Sequence, residues 1–265
     1  MRIATWNVNS VTVRMGKMLD WLPEASPDVV CLQELKATPE QFPAQTFKEL
    51  GYDSVIHADG RWNGVGILSR VGIDDVVIGL SGEPAYDGAL EHRAIGATCG
   101  PVRLWSVYVP NGREPGHAHY AYKLEWLAAL RDTVKSELSG DQPYAVLGDF
   151  NVAPHDDDVW DVAAFEGSTH VTPPERAALA DLRALGLDDV IPRGMKYPTN
   201  FTYWDYRAGN FHKNLGMRID LVYANAPFSA AVTDAYVDRE ARKGSLKDGK
   251  GPSDHAPVVV DLTLE

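Results

Sequence analysis

Basic residues are scarce in this chain of 265 residues: 25 Lys and Arg stand against 37 Asp and Glu, a formal net charge of −12. Taken over the whole chain, that balance argues against a polyanionic partner, because phosphate binding draws on Lys and Arg. Only two cysteines occur, Cys31 and Cys99, each inside an apolar strand-like segment. That excludes a disulfide framework and reads as two reduced core residues, which favours a cytoplasmic setting. No apolar run approaches the roughly 20 residues that span a bilayer, so no membrane partner is expected. The polar breaks at Asn7 and Asn9 leave no signal-peptide core. There is no Gly-x-Ser-x-Gly elbow and no P-loop, which removes support for serine-hydrolase and nucleoside-triphosphatase chemistry. Nor does any Ser/Gly-rich linker, low-complexity tract or short repeat divide residues 1–265, so one domain is expected.

What is present is an alternation of short apolar runs and helical patterns. Segments 2–8, 28–33, 54–57, 65–69, 73–79, 93–98, 102–109, 144–147, 221–224 and 257–264 are rich in Val and Ile and read as strands. Residues 11–22 space Met15, Met18, Leu19 and Leu22 as one helical face, stopped by Pro23. Residues 118–138 and 174–185 read as two further helices, the last with Pro at its start and Gly186 after its end. So many strands with so few helices imply an α/β fold of two packed sheets with helices outside.

Four of those strand ends finish in residues that bind ligands. Tyr144-Ala145-Val146-Leu147 runs into Gly148-Asp149-Phe150-Asn151, and strand alternation would set Asp149 and Asn151 on one face. Pro252-Ser253-Asp254-His255 abuts another apolar run, while Asn7 with Asn9, and Glu34, close two N-terminal segments. Glu34, Asp149 and Asp254 with Asn7, Asn9 and Asn151 form an all-oxygen donor set with one imidazole, His255. Hard oxygen donors suit Mg²⁺, with Mn²⁺ as substitute, and fit zinc poorly. Glu34 is the foremost candidate for a direct ligand. His255 directly follows Asp254, so along an extended chain the two side chains diverge and its orienting carboxylate should come from elsewhere.

The charge is also unevenly spread. Residues 149–189 hold ten acids and two bases, whereas 193–218 hold five bases against one acid, and 239–250 five against two. A locally basic rim on an acidic protein can still engage a polyanion.

The strings Ile3-Ala4-Thr5-Trp6-Asn7-Val8-Asn9-Ser10, Leu32-Gln33-Glu34, Tyr108-Val109-Pro110-Asn111-Gly112, Gly148-Asp149-Phe150-Asn151, Phe201-Thr202-Tyr203-Trp204-Asp205-Tyr206-Arg207, Arg218-Ile219-Asp220 and Pro252-Ser253-Asp254-His255-Ala256-Pro257 occur in that order. Together they resemble the exonuclease III family, the abasic-site endonuclease branch of the endonuclease/exonuclease/phosphatase superfamily. The resemblance implies a four-layered α/β/β/α sandwich of two mixed sheets. It implies Mg²⁺ on Glu34 with Asn7 and Asn9 close by, and Asp149, Asn151, Asp254 and His255 around the metal. Asp149 would orient or deprotonate the attacking water, Asn151 and Tyr108 would hold phosphoryl oxygens, and His255, oriented by Asp220, would contact the scissile phosphate.

The same resemblance implies substrate contacts at Asn9, Arg93 and Asn111, with backbone phosphates gripped by Arg93, Arg207, Lys213, Arg218 and the 239–250 loop. It implies a pocket for a base-less sugar built from Tyr203, Trp204, Met217 and Ile219, with Met217 standing where other members carry Trp. The implied substrate is duplex DNA with abasic sites or 3′ ends, acted on by a monomer in the cytoplasm, at the nucleoid. Two other readings share the fold: a phosphoesterase for a non-nucleic substrate, and an inactive RNA- or protein-binding relative.

Overall fold

The computed structural model describes residues 1–138, 140–244 and 251–264. Its strands are β1 (Arg2–Asn7), β2 (Val29–Gln33), β3 (Asp53–His57), β4 (Val65–Ser69), β5 (Asp74–Ile78), β6 (Ala94–Cys99), β7 (Val102–Tyr108), β8 (Tyr144–Asp149), β9 (Asp188–Asp189), β10 (Arg193–Gly194), β11 (Asp220–Ala224), β12 (Val232–Val237) and β13 (Val258–Leu262). The α-helices are α1 (Val11–Ala25), α2 (Ala44–Glu49), α3 (Ala118–Glu137), α4 (Pro173–Ala184), α5 (Asn210–Lys213) and α6 (Ala226–Ala231).

Seven strands form one sheet in the order β10-β12-β13-β1-β2-β4-β3, and six form the other in the order β5-β6-β7-β8-β11-β9. Both are mixed: β1 runs parallel to β2 and antiparallel to β13, and β8 runs parallel to β7 and antiparallel to β11.

The central strands are apolar at nearly every position because both of their faces are covered. Along β2, Val29 and Cys31 face the other sheet, joining Ile95, Leu104, Ala145 and Leu147, while Val30 and Leu32 face Met18, Trp21 and Leu22 of α1. In the second sheet Val146, Trp105 and Val107 turn outward onto Tyr122, Trp126 and Leu130 of α3 and Leu179 and Leu182 of α4. The layers are therefore α/β/β/α, as the motif pattern implied. Cys31 and Cys99 are free and buried in the core between the sheets.

Two helical expectations shift. α1 continues through Pro23 to Ala25, since a proline in the last turn removes a single N–H, and Ser26 in the left-handed conformation closes the end on Leu22 O at 3.0 Å. Its buried face is Val11, Arg14, Met18, Trp21, Leu22 and Ala25, leaving Leu19 exposed.

Candidate active site

Strand register assembles the site. β7 pairs Tyr108 with Asp149, and β11 pairs Asp220 with the same Asp149, so three residues lie abreast at one end of the six-stranded sheet. In the facing sheet Asn7 ends β1 opposite Gln33 of β2, so Asn7 and Glu34 emerge together. β13 lies antiparallel to β1, which brings His255, just ahead of it, to the same end.

The chain leaves the strands through strained turns. Asn9, Glu34 and Asn151 all have left-handed backbones, with φ of 45°, 52° and 50°. Such conformations cost of order 1 kcal/mol or more each and persist where the surroundings over-determine them. Local bonds do so here: Asn9 N–H donates to Asn7 Oδ1 at 3.0 Å, and Asn151 N–H to Asp149 Oδ1 at 2.9 Å. The pairing of Asp149 with Asn151 is thus made by a turn rather than by strand alternation, which stops at Asp149.

Asn7 spaces the carboxylates. Its Nδ2 donates to Glu34 Oε1 at 2.8 Å and to Asp149 Oδ2 at 2.9 Å. Asn7 thus turns its Nδ2 towards the two carboxylates, while its Oδ1 accepts from Asn9 N–H. Lys36 Nζ bonds Glu34 Oε2 at 2.7 Å and Asn9 Oδ1 at 2.6 Å, and Tyr108 lies close enough to Glu34 to feel its charge. Burial raises Glu34, but Lys36 and Asn7 outweigh it and hold the carboxyl below its usual range. Burial also pushes the Tyr108 phenol well up, so it stays a neutral donor.

His255 sits between two aspartates. Its Nδ1 donates to Asp220 Oδ2 at 2.8 Å, and its Nε2 lies 3.8 Å from Asp149 Oδ2. Among the described residues none donates to the buried Asp220 Oδ1, so the imidazole is the main partner of that carboxyl group. Burial alone would lower the ring, yet Asp220, then Asp149, raise it to about 10. Burial raises Asp149 to about 7, with His255 opposing and Asp220 reinforcing. The result is a buried cation beside a carboxylate of high proton affinity. Asp254 lies outside this core: its Oδ1 accepts from Asn9 Nδ2 at 3.0 Å, and three hydrogen bonds, through Asn9 and Asn7, separate it from Asp149.

Beside His255 opens a cavity of about 360 Å³, with Trp160, Phe165, His170, Tyr203 and Met217 in its walls and Asn111 at its rim. The Tyr203 and His255 rings are 4.9 Å apart, and Asn111 Nδ2 donates to Asn151 Oδ1 at 3.2 Å, so the cavity adjoins the carboxylate cluster through these contacts. Ile219, with Ala153 and Val159, packs beneath Met217.

Trp204 does not line this cavity. It is 1 % exposed, stacked edge-on against Phe211, with Nε1 donating to Asn214 Oδ1 at 3.2 Å. Several arginines expected on phosphates are internal as well. Arg93 is buried, bonded to Glu91 and to Tyr108 O, and its guanidinium lies 4.7 Å from the Tyr108 ring centre, so it braces that tyrosine. Arg218 is buried between Asp158 and Asp189. Arg239 and Arg242 are buried against Phe211. Of the expected phosphate contacts, Lys213, Arg207 (paired with Asp205) and Lys243 (paired with Glu240) are exposed; residues 245–250 of the basic loop lie outside the described residues.

The model of the Endonuclease/Exonuclease/phosphatase family matches residues 4–255. The fold is similar to a 3′-5′ exonuclease from Neisseria meningitidis at 36 % identity, with all of both chains covered and a TM-score of 0.91. A 3′ phosphatase from Neisseria bound to product DNA hairpin matches at 35 % over both full chains, with a TM-score of 0.92. An AP endonuclease from Archaeoglobus fulgidus matches at 31 %, again over both full chains, with a TM-score of 0.89. The chain belongs to the endonuclease/exonuclease/phosphatase family.

For a member of this family, the donor set fits a divalent cation. Glu34, Asp149 and His255 each present a ligand atom, all within 4.8 Å of one another. No thiolate is among them, and the imidazole is held as a cation by Asp220, so the two carboxylates are the available anionic oxygens. Sequence reading passed over Lys36, although it stands two residues after Glu34, and Thr202, whose Oγ1 accepts the N–H groups of Ile219 and Asp220 at 3.1 Å. It also passed over His170, Lys123 and Glu175, which carry no local signal for a role at the site.

Proposed function

We propose that this protein is a Mg²⁺-dependent phosphodiesterase of duplex DNA repair. It incises 5′ to abasic sites and trims or dephosphorylates 3′ ends, working as a single-domain monomer with the chromosome in the cytoplasm. The observation that carries this reading is the row Asp149–His255–Asp220 beside Glu34, in a chain 36 % identical to a 3′-5′ exonuclease and 35 % identical to a 3′ phosphatase bound to product DNA hairpin. The presence of all these groups in one buried cluster speaks for catalysis over a binding-only role.

Asp149 accepts the proton of the attacking water, a task suited to a carboxylate raised to about 7. His255, cationic at neutral pH through Asp220, neutralises a phosphoryl oxygen while charge builds on it. Asn151 and Asn111 each keep one amide N–H for the phosphate. Asn151 Nδ2 spends the other on Val109 O at 2.9 Å, and Asn111 Nδ2 spends its own on Asn151 Oδ1. Glu34 and Asp149 would hold the Mg²⁺, or Mn²⁺ in its place, which when bound supplies a positive charge for the leaving oxygen and the phosphate. The Tyr203–Met217 cavity then receives the deoxyribose, whose missing base lets it enter where an intact nucleotide is too bulky.

A gel assay tests this with three duplexes, one carrying an abasic site, one a 3′-phosphate and one an intact recessed 3′ end, each with and without EDTA. Metal-dependent cleavage of at least one duplex is expected. Cleavage of none, with rapid hydrolysis of a soluble phosphoester instead, overturns the reading.

A further inference from the structure

Lys123 is a lysine without solvent. It lies in α3 and is fully buried, as is the side chain of its partner Glu175. Taking both charges out of water is costly, so the position asks what the ammonium does there. Its Nζ bonds Asn151 O at 2.7 Å, Asn111 O at 3.2 Å, Thr169 Oγ1 at 3.2 Å and the Glu175 carboxylate. An ammonium has three protons, and these acceptors consume all of them. Asn111, Asn151 and Thr169 belong to the loops following β7 and β8 and the one preceding α4, and Glu175 to the first turn of α4 itself.

Glu175 completes the clamp from the other side. Its carboxylate accepts from the Thr169 hydroxyl at 2.6 Å, from His170 N–H at 3.0 Å, and from Thr172 N–H at 3.0 Å as the capping box of α4. His170 Nδ1 in turn lies 2.6 Å from Asn151 O. Two of the three loops present the amides assigned above to the phosphate, and their carbonyls share one cation. Burial lowers Lys123, but Glu175 opposes it, and Lys123 holds Glu175 down at about 2, so the pair is ionic near neutral pH.

We propose that Lys123, with Glu175, is a positioning residue for the phosphodiesterase reaction, fixing the distance between the Asn111 and Asn151 amides through their backbone oxygens. The inference rests on the function proposed above for those amides. A neutral core of equal volume would keep the loops packed, yet it would not dictate where the two carbonyls sit.

The test is a kinetic cycle on a 3′-phosphorylated duplex in saturating Mg²⁺, using Lys123→Met, Asn151→Ala and their combination, with melting curves for each. Lys123→Met is expected to lower kcat about 100-fold with KM changed less than about threefold, the pattern of an interaction made in the transition state. In the Asn151→Ala background the same substitution should cost less than about threefold, because it acts through that amide. Lys123→Met/Glu175→Met leaves no unpaired buried charge, so it should melt above Lys123→Met, though below the wild type because Thr169, His170 and Thr172 lose their acceptor, and it should stay as slow as Lys123→Met. It also carries the measurement should the single variant fail to fold. Lys123→Arg, which keeps the charge, should recover at least tenfold over Lys123→Met. The proposal is overturned if the effects of Lys123→Met and Asn151→Ala multiply, or if the double Met variant regains kcat along with its stability. Failure of the wild type to turn over any duplex would instead strike the underlying functional reading.

Discussion

Replacing Asp220 by Asn leaves the shape of the His255 pocket and removes one charge, so it isolates what that charge does. His255 Nδ1 is 2.8 Å from Asp220 Oδ2, both buried, and the ring is raised to about 10. At an effective dielectric of about 20, opposite charges about 4 Å apart interact by about 4 kcal/mol. At about 1.4 kcal/mol per unit, that equals about three pKa units, which brings the variant's ring down to about 7. His255 would then be cationic below about pH 7 and neutral above it. The wild type keeps the cation up to about 10. The assay is kcat/KM for release of phosphate from a 3′-phosphorylated duplex, from pH 6.5 to 9.5 at saturating metal. The loss from protonation alone should be about twofold at pH 7 and about 30-fold at pH 8.5, on top of a pH-independent loss of orientation. A wild-type to variant ratio that stays constant across this range would refute the argument, because the charge would then have no hold on the ring.

Arg218→Met strands two buried carboxylates, Asp158 and Asp189, now held at 2.6 and 2.8 Å. Breaking a buried pair costs about 3–5 kcal/mol, so differential scanning calorimetry should show Tm lower by about 6–20 °C at about 2–4 °C per kcal/mol. Gly148→Ala places a Cβ 2.0 Å from Val107 O at φ +151°, where neither strand can yield without moving Asp149. Destabilisation above about 3 kcal/mol is expected in urea unfolding. Acid should loosen the loops around Asn151. Burial holds His170 at about 4 against an ordinary 6.5, and Lys123 holds Glu175 at about 2 against 4.5. Both pKa values are depressed, so the folded state binds fewer protons than the unfolded one. The stability these groups supply is whole above about pH 6.5 and falls from there down to about 2. Asp149, raised to about 7, acts in the opposite sense over this range, so the effect is read as the urea-midpoint difference between the wild type and His170→Gln, which should decline from pH 7 to 4; a difference that stays constant contradicts the assignment.

The chemistry-bearing row was legible because each member punctuates an apolar strand: Asn7 after β1, Glu34 after β2, Asp149 at the end of β8, Asp220 at the start of β11 and His255 ahead of β13. Strand alternation explains the layers too, since Val29, Val30, Cys31 and Leu32 serve two cores in turn. Burial of charge was the part hidden from the sequence. Arg218 and Arg239 read as surface cations because nothing local marks the pair Asp158 and Asp189, or the Phe211 ring, as their partners, and Arg93 did so because an acid two residues away, Glu91, carries no sign of burial. Lys123 failed to register for the same reason: a lysine within a helical pattern is ordinarily solvated. Trp204 carried the same motif as Tyr203, yet successive residues face opposite ways, so only one of them reaches the cavity. The two-residue strands β9 and β10 have no periodicity to detect, and β12 is largely half-buried, without a full apolar alternation.

The central claim is that Asp149 works on water at a phosphate held beside His255 and Glu34. Single-turnover cleavage of a 3′-phosphorylated duplex in Mg²⁺, for wild type and Asp149→Asn at equal DNA occupancy, tests it most directly. The account predicts metal-dependent release of phosphate by the wild type, and a loss of about 10²–10⁴-fold in the variant with the duplex still bound. Cleavage by Asp149→Asn within about tenfold of the wild-type rate would contradict it, because general-base loss alone should exceed that.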